Sequence, residues 1–204
     1  MNLAMKVGGI ILCGGRSSRM GRPKAWLPFG DELLLQRAVR IVGSVVDPVV
    51  VVAADIQDLP ALPTRVEVVR DFVEARGPLG GLAAGLHALV GRVDAVFLSP
   101  CDAPFLQPAF IRTLIASLEG VQAAVPRVGG FLHPLTAAYR IDASDIVLSQ
   151  LRSGRLRMVD LFELVPTRYL DERHFAESDP TLESLRNLNT PEEYDAALRE
   201  ISLR

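Results

Sequence analysis

Four consecutive valines and two alanines follow Pro48, so residues 48–54 carry no polar side chain. A strand with one wet face would alternate apolar and polar positions. A short β-branched run without that alternation is the mark of a strand buried on both faces. Such a strand needs helices above and below it, which points to α/β architectures with a mostly parallel sheet. Val7–Leu12 is a second run of this kind, and segments 66–69, 94–99 and 123–126 read as further strands. Helical periods lie between them. Segment 33–46 places Leu34, Leu35, Ala38, Val39, Ile41, Val42 and Val45 at helical spacing. Segment 80–90 is a helix opened by Gly77-Pro78. Segment 108–118 is a helix with Pro108 in its first turn, where a missing N–H costs nothing. The order predicts an α/β fold: a doubly wound, mostly parallel sheet with helices on both faces.

The second half is less regular. Residues 131–140 read as one strand with His133-Pro134 near its start, and 141–152 as a helix. Ser153-Gly154-Arg155 is a turn, 158–164 a short apolar helix, and 171–181 a polar loop. Thr190-Pro191-Glu192-Glu193 announces the last helix: Thr190 caps it, Pro191 suits its first position and Glu193 completes a capping box. The 204 residues fit one domain with a sizeable core. A formal net charge of -2 gives no global sign of nucleic-acid or membrane binding. Any phosphate affinity must therefore be local. Cys13 and Cys101 do not make a disulfide scaffold, although both sit at strand ends where they could come close. With three scattered histidines they also argue against a structural zinc site. No targeting segment or membrane-length apolar stretch is evident, so the expected location is cytoplasmic. Met1 and Met5 are both candidate starts.

Ligands in open α/β sheets bind beyond the carboxyl ends of the strands. Three motifs follow expected strands and so fall on one rim. The first is Cys13-Gly14-Gly15-Arg16-Ser17-Ser18-Arg19-Met20-Gly21-Arg22-Pro23-Lys24. Paired glycines let the backbone approach a ligand and expose N–H donors, and three arginines and a lysine supply fixed cations. This suits a polyphosphate. The loop lacks the Gly-Lys-Ser/Thr ending of a P-loop and the spacing of a dinucleotide fingerprint. The second motif is Arg70-Asp71. The third is Ser99-Pro100-Cys101-Asp102-Ala103-Pro104, a strand-end carboxylate between prolines. One such carboxylate is enough for Mg²⁺, which takes water and phosphate oxygens for the rest of its shell.

The order Gly-Gly-x-Ser-x-Arg-Met-Gly-x-x-Lys resembles the signature loop of nucleotidyltransferases that join a nucleoside monophosphate to a phosphorylated acceptor. Within these, Gly14-Gly15 most resembles the molybdenum cofactor guanylyltransferase family. The resemblance covers nearly the whole chain and is weakest between 142 and 181. It implies a nucleotide-diphospho-sugar-transferase-like sheet, with the nucleotide on the N-terminal half and the acceptor on the C-terminal half. It assigns catalysis to Arg19, Lys24 and Asp102, with Mg²⁺ on Asp102. It assigns the nucleotide to Leu12, Cys13, Gly14, Gly15, Lys24, Asp55, Asp71, Gly77, Pro78, Gly80 and Asp102. Asp55 stands where many relatives have asparagine. Gly154-Arg155-x-Arg157 and Asn187-Leu188-Asn189 resemble the acceptor-side segments, which assigns Arg155, Arg157, Asn187 and Asn189 to a phosphorylated pterin.

The implied reaction moves GMP from Mg·GTP to the terminal phosphate of molybdenum–molybdopterin. The implied partners are these substrates, with transient contacts to other cofactor-biosynthesis proteins or to molybdoenzymes, and no nucleic acid or membrane. Cytidylyl transfer to the same acceptor is the rival, because Arg22-Pro23-Lys24 is shared with that family. A sugar-phosphate acceptor and a non-catalytic nucleotide-binding module are further alternatives. Arg16 and Arg22 fit either a phosphate contact or a solvated surface. His133 fits either a satisfied core position or a ligand contact.

Overall fold

The structure is a computed structural model that describes residues 5–14, 20–71 and 77–203. Its centre is a sheet in the order β10-β7-β9-β6-β1-β4-β5, with β8 paired to β7. The strands contributed by the first half of the chain are β1 (Val7–Leu12), β4 (Val49–Ala54), β5 (Glu67–Asp71) and β6 (Ala95–Pro100). The remaining sheet strands are β7 (Ala123–Val128), β8 (Phe131–Leu132), β9 (Ala137–Arg140) and β10 (Thr167–Leu170). β1 is parallel to β4 and β6, and β4 is parallel to β5. β9 runs antiparallel to both β6 and β7, and β10 is parallel to β7. The sheet is therefore mostly parallel, as the apolar runs predict.

The chain steps outward from β1 to β4 to β5, then returns to place β6 on the other side of β1. The strand order reverses at β1/β6, and the crevice at such a switch point is where open sheets bind ligands. Among the described residues five α-helices accompany the strands: α1 (Leu34–Gly43), α2 (Gly77–Leu89), α3 (Pro108–Ala116), α4 (Ser144–Arg152) and α5 (Pro191–Ile201). Val50 and Val52 face a core with α2 and α4, while Val49 and Val51 face one with α1 and α3. The valine run thus feeds both layers, which is why it lacks polar positions. α2 lies unusually close to β1. A Cβ on Gly85 would stand 2.7–2.9 Å from Ile10, and one on Gly81 would stand 2.9 Å from Leu12. Among the described residues no helix is long and apolar enough to cross a membrane.

One local expectation is corrected. Segment 131–140 is not one strand. Gly129 and Gly130, at φ 56° and 82°, fold β7 back onto β8. The chain then turns through Thr136 N to His133 O, 3.1 Å, before β9 begins. Segment 158–164 is helical as expected, as a 3-10 helix over Met158–Glu163, and the helix expected from residue 141 opens with a 3-10 turn, Ile141–Ala143, that runs into α4. A hairpin of β2 (Pro28–Phe29) and β3 (Glu32–Leu33) and the edge strand β10 had no recognisable sequence pattern.

A third core cluster positions the rim. Met20, Leu27, Phe29, Leu34, Phe105, Leu188 and Ala197 bury one another. Phe29 meets Phe105 edge-on with centroids 5.5 Å apart. The cluster joins the end of the Gly-rich segment, the β2–β3 hairpin, the turn after β6 and the C-terminal helix. Residues distant in sequence are held together there by apolar burial.

Candidate functional site

At the switch point the backbone stays paired beyond the strand ends. Cys13 N donates to Val52 O at 2.8 Å, and Cys101 N donates to Leu12 O at 3.0 Å. Asp102 follows at once and is 7% exposed. Lys24 opens a 3-10 turn, Lys24–Trp26, just after Pro23, and Trp26 anchors that turn by donating Nε1–H to Asp58 O at 3.1 Å. The Lys24 ammonium pairs with Asp102 Oδ2 and also donates to Asn189 Oδ1 at 3.0 Å. Leu188 N donates to Asp102 O at 3.0 Å, so Asp102 holds the C-terminal segment by its backbone as well. Glu193 completes the arrangement: its Oε2 accepts from Asn189 N at 2.6 Å and from Thr190 N at 3.1 Å. The capping box of α5 therefore orients Asn189 toward the lysine. Glu193 was legible only as a cap; nothing in its sequence context announced this second role.

Asp102 is not saturated. Its Oδ1 is buried and has no hydrogen-bond partner among the described residues. A buried carboxylate oxygen without a donor is costly unless a cation or ligand satisfies it. Asn187 Oδ1 is in the same condition, one residue from the buried Leu188. Beside them Cys13 and Cys101 are free and buried, and the Cys101 thiol is pushed well up by its hydrogen bond to Cys13 and by burial. A neutral, buried thiol is a packing group rather than a nucleophile.

The other expected residues are distributed around this cluster. Leu12 ends β1, and Gly14 follows Cys13 in the open; a Cβ on it would approach Ala54 N at 3.3 Å. Asp71 is the last residue of β5, directly across from Ala54, and Asp55 is exposed in the turn after β4. Gly77 and Pro78 are exposed at the start of α2, whereas Gly80 is buried in its first turn. Gly15, Arg16 and Arg19 lie outside the described residues. Arg22 is described and exposed.

Arg155 and Arg157 are not joined to the lysine cluster by any hydrogen bond or ion pair among the described residues. Arg155 pairs with Glu163 at 3.1 Å and Asp160 at 3.8 Å, and Arg157 reaches Asp160 at 4.0 Å. Topology still brings them toward the rim. β9 runs opposite to β6, so the following α4, packed against α2, returns toward the carboxyl ends of the parallel strands. His133 resolves one open alternative. Its ring is half-buried, burial holds its pKa below the usual value, and it makes no hydrogen bond among the described residues. It is not a satisfied core histidine. Gln57, which sequence reasoning passed over, and Arg70, named there only as the neighbour of Asp71, brace the rim beside Gly14.

Comparison with known proteins settles the family. The MobA-like NTP transferase domain matches residues 9–163. The chain belongs to this family. MobA-like NTP transferases are nucleotidyltransferases that typically use a divalent metal. A probable molybdenum cofactor guanylyltransferase from Pelotomaculum thermopropionicum is 33% identical over 90% of this chain and 87% of its own length. The molybdenum cofactor guanylyltransferase of Desulfosudis oleivorans is also 33% identical, over 94% of each chain. Among solved structures, molybdopterin-guanine dinucleotide biosynthesis protein A from Archaeoglobus fulgidus superposes with a TM-score of 0.80 at 20% identity, covering 97% of this chain and 100% of that one. A manganese complex of Rv0371c from Mycobacterium tuberculosis superposes with a TM-score of 0.64 at 19% identity, over 95% and 98%. These likenesses confirm the mostly parallel MobA-like sheet.

Proposed function

We propose that the protein transfers GMP from GTP to the terminal phosphate of molybdenum–molybdopterin, releasing pyrophosphate. The observation that carries this reading is the meeting of Lys24, Asp102 and Asn189 at the switch point of a MobA-like fold. The names of the relatives at 33% identity supply the acceptor and the base.

An oxygen of the acceptor phosphate attacks the α-phosphorus of GTP, and the bond from that phosphorus to the bridging β-oxygen breaks. The attacking oxygen is already anionic, so no strong general base is needed. The protein's task is alignment and charge neutralisation. Lys24 brings a point charge to the phosphates, and Asn189 holds that ammonium in place from the acceptor side. Arg19 is assigned a second phosphate contact. Arg155, Arg157 and Asn187 are assigned to the pterin and its phosphate, with Asp55, Asp71 and the start of α2 on the nucleoside.

The orphaned Oδ1 of Asp102 fits a hard divalent cation, and we assign Mg²⁺ there. Bound Mg²⁺ would draw charge from the phosphate oxygens and so favour their displacement. Asp102 then has two tasks through two oxygens, one toward the cation and one toward Lys24. The reading carries with it a cytoplasmic location, one domain with nucleotide and acceptor halves, and transient contacts with cofactor-biosynthesis proteins or recipient molybdoenzymes.

The test is direct. The protein is incubated with Mg²⁺, molybdenum–molybdopterin and either GTP or CTP, and dinucleotide and pyrophosphate are measured. GTP is expected to support turnover and CTP to support little. The shared Arg22-Pro23-Lys24 favours the cytidylyl rival, and faster turnover with CTP would establish that rival instead.

A further inference from the structure

We propose that Gln57 and Arg70 are positioning residues that set base selectivity by fixing the backbone of Cys13 and of the 54–57 turn. The inference deepens the nucleotide side of the proposed function and rests on that reading.

Where β1, β4 and β5 end, their ladders stop and backbone groups need new partners. Two side chains provide them. Gln57 Oε1 accepts from Ala54 N at 3.2 Å, and its Nε2 donates to Cys13 O at 3.0 Å. Arg70 Nη1 donates to Ala54 O at 3.0 Å and to Gln57 O at 2.6 Å. The turn itself closes through Gln57 N to Ala54 O, 3.2 Å. One amide and one guanidinium thus cross-brace three strand ends. Both are half-buried, and neither is needed to fill an apolar core.

The brace presents specific groups. At its tip Asp55 and Ile56 are exposed, Ile56 at 90%. Gly14 lies against the same turn, close enough that a Cβ would meet Ala54 N at 3.3 Å. Charge decides which end of a nucleotide comes here. Lys24 lies on the β6 side of β1, and the Asp55 and Asp71 carboxylates lie on the β4 and β5 side. Carboxylates repel phosphates, and they accept from ribose hydroxyls and from the N1–H and N2–H groups of guanine. The triphosphate therefore points to Lys24 and the nucleoside to the braced turn. An acceptor discriminates between bases only if it is held in one place, because a mobile one can repair a mismatched edge.

The experiment measures dissociation constants for GTP, ITP and CTP with the wild-type chain, Gln57→Leu and Arg70→Lys, together with melting curves. ITP lacks only the 2-amino group of guanine. The expected result is that GTP binding weakens about tenfold in each variant, ITP binding, which keeps only the N1–H contact, by less, and CTP binding little, so both selectivity ratios shrink. Pyrophosphate affinity, which reports on the Lys24 end, stays at the wild-type value. A brace with only a structural task would lower the melting temperature and weaken every nucleotide by one common factor; unchanged ratios overturn the inference. If Gln57→Leu loses its cooperative melt, Arg70→Lys, which keeps the charge but not the fork, decides the matter by the same ratios. A wild-type chain that binds GTP and CTP equally overturns the guanylyl reading and this inference with it. A selective wild type with equally selective variants overturns the inference alone.

Discussion

Two charged clusters flank the β2–β3 hairpin, and they are built to different standards. In one, Glu32 accepts from Arg37 Nη1 at 3.0 Å, from Arg40 Nη2 at 2.5 Å and from Arg40 Nε at 3.0 Å. Arg37 also donates to Pro104 O at 2.6 Å and lies over the Phe29 ring, 5.1 Å from its centroid. Both carboxylate oxygens are satisfied, and the Arg40 hydrogen bond holds the Glu32 carboxyl below the usual range. In the other, Lys24, Asp102 and Asn189 leave a buried carboxylate oxygen without a partner among the described residues. The first cluster ties the hairpin to α1 and to the turn after β6. The second leaves one acceptor to spare. A saturated cluster stabilises a fold; a buried acceptor that its neighbours do not use suits a ligand.

The comparison breaks most visibly at Asp102. Asp102→Asn keeps the size of the side chain and removes its charge. Turnover should fall by about 2–4 kcal/mol of transition-state stabilisation, the range for lost preorganised electrostatic groups. The melting temperature should stay near wild type. Lys24→Ala should behave alike, and Asp102→Asn should recover partly at high Mg²⁺ or with Mn²⁺ while Lys24→Ala should not. Initial rates against metal concentration check both. If Asp102→Asn matches wild type at limiting Mg²⁺, the buried Oδ1 of Asp102 has no catalytic role.

Glu32→Gln should invert the pattern, with near-normal kcat/KM and a loss of about 1 kcal/mol in denaturant unfolding, the upper end for partly exposed ion pairs. The sign with pH follows from the depressed carboxyl. Its contribution is present above the ordinary value of 4.5 and is lost as pH falls through the lower folded value. The gap between wild type and Glu32→Gln should therefore close in acid. A smaller effect is expected from Arg40→Ala, whose side chain is 60% exposed, at about 0.3 kcal/mol or less and diminished by salt.

The smallest effect belongs to His133, whose ring has no hydrogen-bond partner among the described residues and whose pKa is lowered by burial. Its folded pKa lies below 6.5, so the unfolded chain binds more protons between the two values and stability falls as pH drops through that window. Melting curves at pH 7.5 and 5.5 should show a smaller decline for His133→Gln than for wild type. Equal declines would mean that the ring titrates as it does in water.

Much of this was legible in sequence because it is local. The valine run, the glycine loop, the strand-end Asp102 and the Thr190–Glu193 cap each declare themselves within a few residues. What was not legible depends on side chains meeting across the fold. Asn189 reads as an acceptor-side residue from its own segment, yet it touches Lys24 because Leu188 and Ala197 pack into the cluster around Phe29 and Phe105. Gln57 sits in a polar loop with no motif, and its value appears only when β1 and β4 lie side by side. β10 is an edge strand with two exposed central residues, so no apolar period marks it. Arg155 and Arg157 show the converse. Their motif was plain, and in the structure their ion-pair partners are Asp160 and Glu163 rather than members of the lysine cluster.

The bond between Lys24 and Asn189 spans 165 positions of the chain. Synthesis runs from the amino end at about 5–20 residues per second, so the lysine precedes its amide by roughly 8–30 seconds. In that interval β1, β4 and β6 have all left the ribosome, while the segment that orients the ammonium does not yet exist. A nascent or prematurely terminated chain can assemble the middle of the sheet and still lack the finished pocket.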